Sequence, residues 1–551
     1  MGPVPYRLRI GVTGHRVLLD EDELAQRVRD VLGSRLVELF DETSARLIAS
    51  ARHTPVALSV LTPLAEGADR LLAREVLAMP LGAIEAVLPF PKKQYENDFE
   101  TPESRREFEQ LLSRATRSSV LNRRLGPVDA TETDLAEAKR QAYVDVGRYT
   151  VDHCDLLIAL WDGQPARGEG GTAKVVEYAK EVGRPLVVIS TTAPYEVELS
   201  VGHALSAEAF SRLEAFNSFP IPEAKQAEYV ENAYRDIFEA HDAPAVCDEN
   251  KAEIRSRLLP VYVRASAIAE HSQKAHERAG RLVYGSSLLA LTSVAVGVLF
   301  PDIAPFAFGL EFLLLLLVLA TVFFADRGRV HRQWVENRFL AERIRSAVFF
   351  AACGFQPSAL RVPAHLGRMR SSGKWMLAAF DETWDAVRTK RQADATLPGL
   401  ARFVRERWIE DQLRYHESKS RAAERVSRRL EVGGMLIFAV ALLAPAAHLI
   451  LFRPGLGLEA RWLEMSLTLA AIILPALGAT LEGVRSHGEY SRIAKRSENM
   501  AEALRELDHR AGQVRDQETL HGLMHEVEEL MLVEAADWLA LMRFTKVETV
   551  A

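Results

Sequence analysis

The chain is 551 residues long, enough for several domains, and its net charge of −7 argues against a general nucleic-acid-binding role. Its 48% of hydrophobic residues conceals segregation, because long uncharged runs occupy the second half with dense Arg and Lys beside them. Cys154, Cys247 and Cys353 lie far apart, which excludes a disulfide framework and a cysteine-spaced metal site and suits a reducing compartment. Met1–Arg9 shows no apolar region of the kind a signal peptide carries.

Tyr6–Val12 reads as a first strand and runs into Thr13-Gly14-His15-Arg16, where Gly14 allows backbone to approach a ligand and His15 and Arg16 offer donors. Leu24–Leu47 has helical periodicity. Val56–Leu61 is a second strand, followed by a loop holding Glu66, Gly67, Asp69 and Arg70 and a helix Leu71–Ala78. Ala83–Leu88 is a third strand, and residues 92–126 are charged and helical in character. Leu156–Trp161 is a short continuous apolar run, as expected of a strand buried on both faces. Asp162-Gly163 ends it. A loop with Gly168, Gly170 and Gly171 leads to Thr172, where a helix begins, and Pro185–Ile189 is a further strand. The alternation of strand and helix predicts a Rossmann-like, doubly wound parallel sheet, an α/β domain over residues 1–192.

In such a sheet ligands bind outside the carboxyl ends of the strands. Four loops are expected there. They supply Thr13, Gly14, His15 and Arg16; Glu66, Gly67, Asp69 and Arg70; Asp162 and Gly163; and Gly170, Gly171 and Thr172. Glycines at a helix start leave backbone N–H groups facing outward at the positive end of the helix dipole, which suits a phosphate. Arg16 and Arg70 suit a second phosphate or stacking on a base, and Asp162 and Glu66 suit ribose hydroxyls. A nucleotide or ADP-ribose-like molecule fits this set, with no metal and no separate cofactor.

These motifs, Gly11-Val-Thr-Gly-His-Arg, Ala65-Glu-Gly-Ala-Asp-Arg, Cys154-Asp-Leu-Leu-Ile-Ala-Leu-Trp-Asp-Gly and Gly170-Gly-Thr, resemble the SLOG superfamily. That superfamily contains the LOG nucleotide phosphoribohydrolases, DprA-like proteins and nucleotide-sensing domains of bacterial conflict systems. LOG enzymes carry Gly-Gly-x-Gly-Thr-x-x-Glu. Here Val175 stands at the place of the Glu, and the nearest acid on the helix is Glu177. A shift of two residues turns a side chain by about 200° around a helix. The resemblance therefore carries over binding and not the catalytic acid.

Residues 193–264 read as a helical connector, with amphipathic spacing over Ser206–Asn217 and Ala224–Ala240. The rest is all-α and apolar enough to cross a membrane four times. A first module, residues 265–350, has spans at about 282–300 and 303–325. A linker, residues 351–405, follows. A second module, residues 406–551, has spans at about 432–452 and 465–481. Lys274, Arg278 and Arg281 precede the first hairpin and Arg327, Arg329 and Arg332 follow it. Arg421, Arg425, Arg428 and Arg429 precede the second, with Arg485, Arg492, Lys495 and Arg496 after it. The positive-inside rule then puts the hairpin ends and both termini in the cytoplasm. The trailing segments match as Ala341-Glu342-Arg343-Ile344-Arg345 and Ala501-Glu502-Ala503-Leu504-Arg505, so the modules read as a tandem repeat. Glu311, inside the second span, is a candidate pore or gate carboxylate.

Each module resembles the SLATT family, two-span membrane modules found fused to SLOG or TIR domains. A SLOG domain followed by SLATT modules implies a homo-oligomeric effector in the bacterial inner membrane, acting in antiphage defence. It would bind a nucleotide or cyclic ADP-ribose-type second messenger and then permeabilise the lipid bilayer. Two alternatives are carried forward: a membrane-tethered hydrolase of nucleotide N-glycosidic bonds, using Glu177 or Glu66, and a constitutive transporter or scaffold.

Overall fold

A computed structural model describes residues 2–122, 132–165, 171–239, 245–327, 330–357, 374–393, 396–452 and 461–542. The chain divides into two compact units. The first comprises Met1–Pro220 together with Met369–Ala386; the second comprises Ile221–Arg368 and Val387–Ala551.

The first unit is built on a seven-stranded sheet. Its strands are β1 (Tyr6–Gly14), β2 (Val56–Thr62), β3 (Ala83–Leu88), β4 (Arg117–Val120), β5 (Leu156–Trp161), β6 (Leu186–Ser190) and β7 (Val197–Ser200), in the order β4-β3-β2-β1-β5-β6-β7. All neighbours are parallel except β7, which runs antiparallel to β6. The doubly wound α/β reading of the sequence is the observed fold. β3 is buried along its whole length and β5 along all but its last residue, because helices cover both faces of the sheet. Ile10, Val60, Ile84, Ile158 and Leu160 form its centre, each fully buried. The two edge strands have four residues each, short enough to limit pairing with another chain.

Three local departures from the sequence reading matter. The periodicity over Leu24–Leu47 is broken: a helix covers Glu21–Asp30, widens to a π-helical turn at Val31–Arg35, tightens to a 3-10 turn at Leu36–Leu39, and restarts at Glu42 after Asp41 caps it. The 92–126 stretch is not helical throughout, since β4 emerges from it after the helix Pro102–Ser113. A 22-residue helix, Glu132–His153, then precedes β5. The 193–264 connector is divided at Pro220: helix Glu208–Ser218 belongs to the first unit and helix Glu223–Tyr234 to the second.

The return of Met369–Ala386 brings the helix Lys374–Asp385 onto the first unit. Its apolar side is buried, with Trp375 5.7 Å from the Phe216 ring. Its acidic side meets three arginines near the amino ends of the strands. Arg7 of β1 makes a two-pronged ion pair with Glu382, one arm at 2.8 Å. Arg117 of β4 binds Asp385 at 2.8 Å and Asp381 at 3.3 Å. Arg9 is held by Glu85 at 3.0 Å and lies 3.9 Å from Asp381.

The second unit is helical and shows an internal duplication. A short helix, Asp248–Glu253, passes through a π-helical turn into the 41-residue helix Leu259–Leu299. The same sequence of elements recurs as Leu397–Val404, a π-helical turn at Arg405–Ile409 and the 42-residue helix Glu410–Leu451. Each long helix is followed by a returning helix, Ala304–Arg327 or Arg461–His487, and a third one, Val330–Cys353 or Tyr490–Ala511. Four helical stretches are long and apolar enough to cross a membrane, and they contain the four spans read from sequence. Their apolar side chains face outward: Phe306 is 80% exposed and Leu449 75%. Such surface is costly in water and is what a lipid-facing helix presents. Glu311 lies in the second of these helices and is half-buried. The outer loop at 453–460 and Arg329 lie outside the described residues.

Candidate functional site

The chain leaves β1 toward one edge of the sheet and β5 toward the other, and crevices open at such points of reversal. A cavity of about 510 Å³ lies there, at the carboxyl ends of β1, β2 and β5. That volume is in the range of small-molecule and cofactor sites. Of the residues singled out from sequence, Thr13, Gly14, His15, Arg16, Asp69, Asp162, Gly171 and Thr172 line it together. Glu66, Gly67, Arg70 and Gly163 are not among its lining residues, and Gly170 falls outside the described residues.

Gly14 is where the floor comes together. A Cβ there would lie 2.4 Å from the Cβ of Ala68 and 2.7 Å from the carbonyl oxygen of Leu160, so a side chain would push the helix Ala68–Ala78 and β5 apart. Gly67 has φ +74, and a Cβ on it would fall 2.3 Å from the His15 carbonyl oxygen. Its place is structural: it lets the Ala68 N–H donate to that carbonyl at 3.1 Å and pins the His15 loop. His15 in turn donates its backbone N–H to Leu160 at 3.2 Å.

Two carboxylates enter the cavity by different routes. Asp162 closes a turn after β5: its Oδ1 accepts the backbone N–H of Gln164 at 3.0 Å, and Gly163 (φ +77) makes the turn possible. His15 Nε2 sits 3.1 Å from Asp162 Oδ1 and 3.2 Å from the Asp162 backbone nitrogen, joining the loops after β1 and β5. Asp69 is buried. Its Oδ2 accepts the Thr62 hydroxyl at 3.0 Å and the Ala65 backbone N–H at 3.2 Å. Burial pushes its carboxyl up to about 7, against the opposing pull of those hydrogen bonds and of Arg16 and Arg70.

Arg16 is the cation on the cavity wall among the described residues, and its guanidinium lies 5.5 Å from the centre of the Tyr143 ring. Tyr143 is fixed by donation to Asp98, which Lys139 also binds at 2.6 Å. At the other end Gly171 caps the helix Thr172–Glu181, whose first residues Thr172 and Ala173 form part of the lining, and backbone N–H groups in the first turn of a helix suit an anion.

Arg70 has a different task from the one its motif suggested. It is 2% exposed, donates from Nε to the Leu64 carbonyl at 3.2 Å and from Nη1 to Ser104 at 2.8 Å, and lies 4.6 Å above the Phe99 ring. It braces the loop that carries Asp69. Glu66 accepts from Ser104 on the same outer side. Glu177 is exposed and bound to Lys174 at 2.7 Å, away from the cavity.

Sequence reading missed the wall made by Tyr95, Tyr143, Val146, Gly147 and Thr150. All but Tyr95 come from the helix Glu132–His153, whose small residue Gly147 lets Val175 approach: a Cβ there would meet its Cγ2 at 2.9 Å. The signal available was the spacing of Tyr143, Val146 and Thr150 on one helical face. The cavity can hold an anion at the helix end and a planar or hydroxylated group near Arg16, Tyr143 and Asp69. No family model matches the chain, and no curated protein matches it.

Proposed function

We propose that the first unit is a SLOG-type sensor for a nucleotide or ADP-ribose-type messenger and that the duplicated helical modules are SLATT-type membrane effectors that it controls. The single observation that carries this reading is the cavity at the sheet's reversal point, which combines a helix N-terminus, one arginine beside an aromatic ring, and two carboxylates. Its chemistry suits a phosphorylated ribose compound. The helix Lys374–Asp385 supports a route for control. It leaves the linker between the two hairpins and binds the amino end of β1, whose carboxyl end helps form the cavity, and the amino end of the edge strand β4. A ligand that favours one arrangement of this sheet would change how the linker is held, and ligand must bind the two arrangements differently for that to work. The setting is the bacterial inner membrane, with homo-oligomers permeabilising it in antiphage defence.

The test is the full chain reconstituted in dye-filled vesicles, challenged with AMP, NAD and ADP-ribose. Nucleotide-dependent dye release, with thermal stabilisation by the same nucleotide, is expected. Dye release that no nucleotide alters would favour a constitutive transporter and remove the sensor.

The hydrolase reading keeps one supporting observation: Asp69, a buried carboxyl on the cavity wall raised to about 7, has the character of a general acid. Chromatography of the same incubations decides it. Free base means turnover; intact nucleotide means binding alone.

A further inference from the structure

Along the two long helices of the second unit, basic residues far from the apolar run are matched by acids on the same helix, and those next to it are not. On Leu259–Leu299, Lys274 pairs with Glu270 at 2.5 Å. On Glu410–Leu451, Arg414 pairs with Asp411, and Arg421 lies 3.7 Å from Glu417. One or two turns further on, Arg278, Arg428 and Arg429 are exposed and form no ion pair among the described residues; the same holds for Arg281 and Arg425 beside them, which reach only backbone carbonyls at 3.3 and 3.2 Å. The neighbouring acids do not serve them: Glu277 accepts from Gln273 at 3.0 Å, and Glu431 lies 3.7 Å from Arg485. The returning helix of the second hairpin, Arg461–His487, and the helix Tyr490–Ala511 after it behave differently. There Arg485, Arg492 and Lys495 are matched by Glu482, Glu489 and Glu498 at 2.8, 3.0 and 2.8 Å.

The open arginines are also placed alike in the two repeats. Arg278 and Arg429 occupy the same position counted from the start of their 41- and 42-residue helices. Each stands within a turn of the uncharged segment, at the level where a crossing helix leaves water. An exposed arginine in water needs no partner, so exposure alone says little. What points to a partner is the combination of three facts: charge matching farther back on the same helices, its loss over the last turn before the apolar segment, and the repetition of that turn in both modules. At that depth the available counter-charge is lipid phosphate, which a planar guanidinium binds with two parallel hydrogen bonds. A negatively charged leaflet adds attraction of about fivefold for each arginine near its surface.

We propose that Arg278, Arg428 and Arg429 form a docking surface for anionic phospholipid headgroups and that both hairpins are seated in the bilayer through it. The proposal rests on the membrane reading of the four apolar helices and not on the identity of any nucleotide.

The experiment uses the full chain in detergent, equilibrated with equimolar phosphatidylglycerol and phosphatidylcholine of matched acyl chains. Retained lipid is read by native mass spectrometry. The wild type is expected to favour phosphatidylglycerol by roughly 100-fold, and the R278Q/R428Q/R429Q variant by less than about threefold. The corresponding triple lysine variant keeps most of the preference, and 0.5 M salt reduces it ~10-fold or more. Equal retention of both lipids by the wild type, or an undiminished preference in the glutamine variant, overturns the proposal. If the triple variant does not fold, Arg278→Gln alone decides, with an expected loss of about fivefold. Wild-type binding to heparin without any lipid preference also overturns it, in favour of a soluble anionic partner.

Discussion

Glu382→Ala combined with Asp385→Ala tests whether the helix Lys374–Asp385 transmits a signal. The Arg7–Glu382 pair is largely sheltered, with side chains 18% and 10% exposed. Breaking a buried pair by removing one partner costs about 3–5 kcal/mol, and partial exposure reduces that here to about 2–3 kcal/mol. Arg117 and Asp385 are 35% and 27% exposed, so their pair contributes about 0.5–1 kcal/mol after solvent screening. Together the variant should weaken docking of the helix by about 3 kcal/mol, or roughly 100-fold in the opening equilibrium. Trp375 and Phe380 remain buried, so the helix should open more often without being lost. Amide exchange over residues 374–385 in the full chain reads this directly and should accelerate by about two orders of magnitude. Nucleotide affinity should stay within about twofold, because the cavity is at the other end of the strands, while nucleotide-dependent dye release should disappear. Faster exchange with unaltered release would refute the coupling; unaltered exchange would refute the energetics.

Other outcomes follow from the cavity. Asp69 binds a proton up to about pH 7 in the folded chain but only to its ordinary value of 3.8 when unfolded. The folded state therefore holds more protons between those values, and its stability falls as pH rises through that window. Asp69→Asn removes the titration; measured by thermal unfolding, it should be stabilising at pH 8 relative to wild type, by at most about 4 kcal/mol, with the advantage shrinking toward pH 4. Gly67→Ala should unfold the loop, since its Cβ collides with two carbonyl oxygens, whereas Gly163→Ala has the same sign of φ but open space and should cost only about 1–2 kcal/mol by chemical denaturation. Arg16→Ala should weaken nucleotide binding about 10-fold or more in calorimetry, and Glu177→Ala should leave it unchanged. Equal effects of those last two would mean that the cavity is not the binding site.

The five inner strands were legible because helices cover both faces of the sheet, which forces unbroken apolar runs such as Leu156–Trp161, whereas the four-residue edge strands β4 and β7 are too short and too exposed to show such a run. The crevice was legible because loop chemistry at strand ends follows from that topology. Side-chain direction was not. Arg70 and Glu66 share a motif with Asp69, yet Glu66 precedes the positive-φ Gly67 and Arg70 lies in the first turn of the helix after it, and both meet Ser104 while Asp69 turns inward. The Tyr143 wall was hidden in a helix whose charged residues mask its apolar face. The Arg7–Glu382 and Arg117–Asp385 pairs join residues 375 and 268 positions apart, a distance at which local pattern carries no information.

The chain enters the first unit twice, and this bears on how the protein can be dissected. A fragment ending anywhere before residue 369 would leave Arg7, Arg117 and the Phe216 ring uncovered, so a truncated sensor is a damaged one. Nor can the N-terminal unit be traded between proteins as a simple cassette, since part of its surface is encoded between the hairpins. Any recombinant excision of the sensor must graft 374–385 back, and inheritance of the two halves is tied together by that short piece.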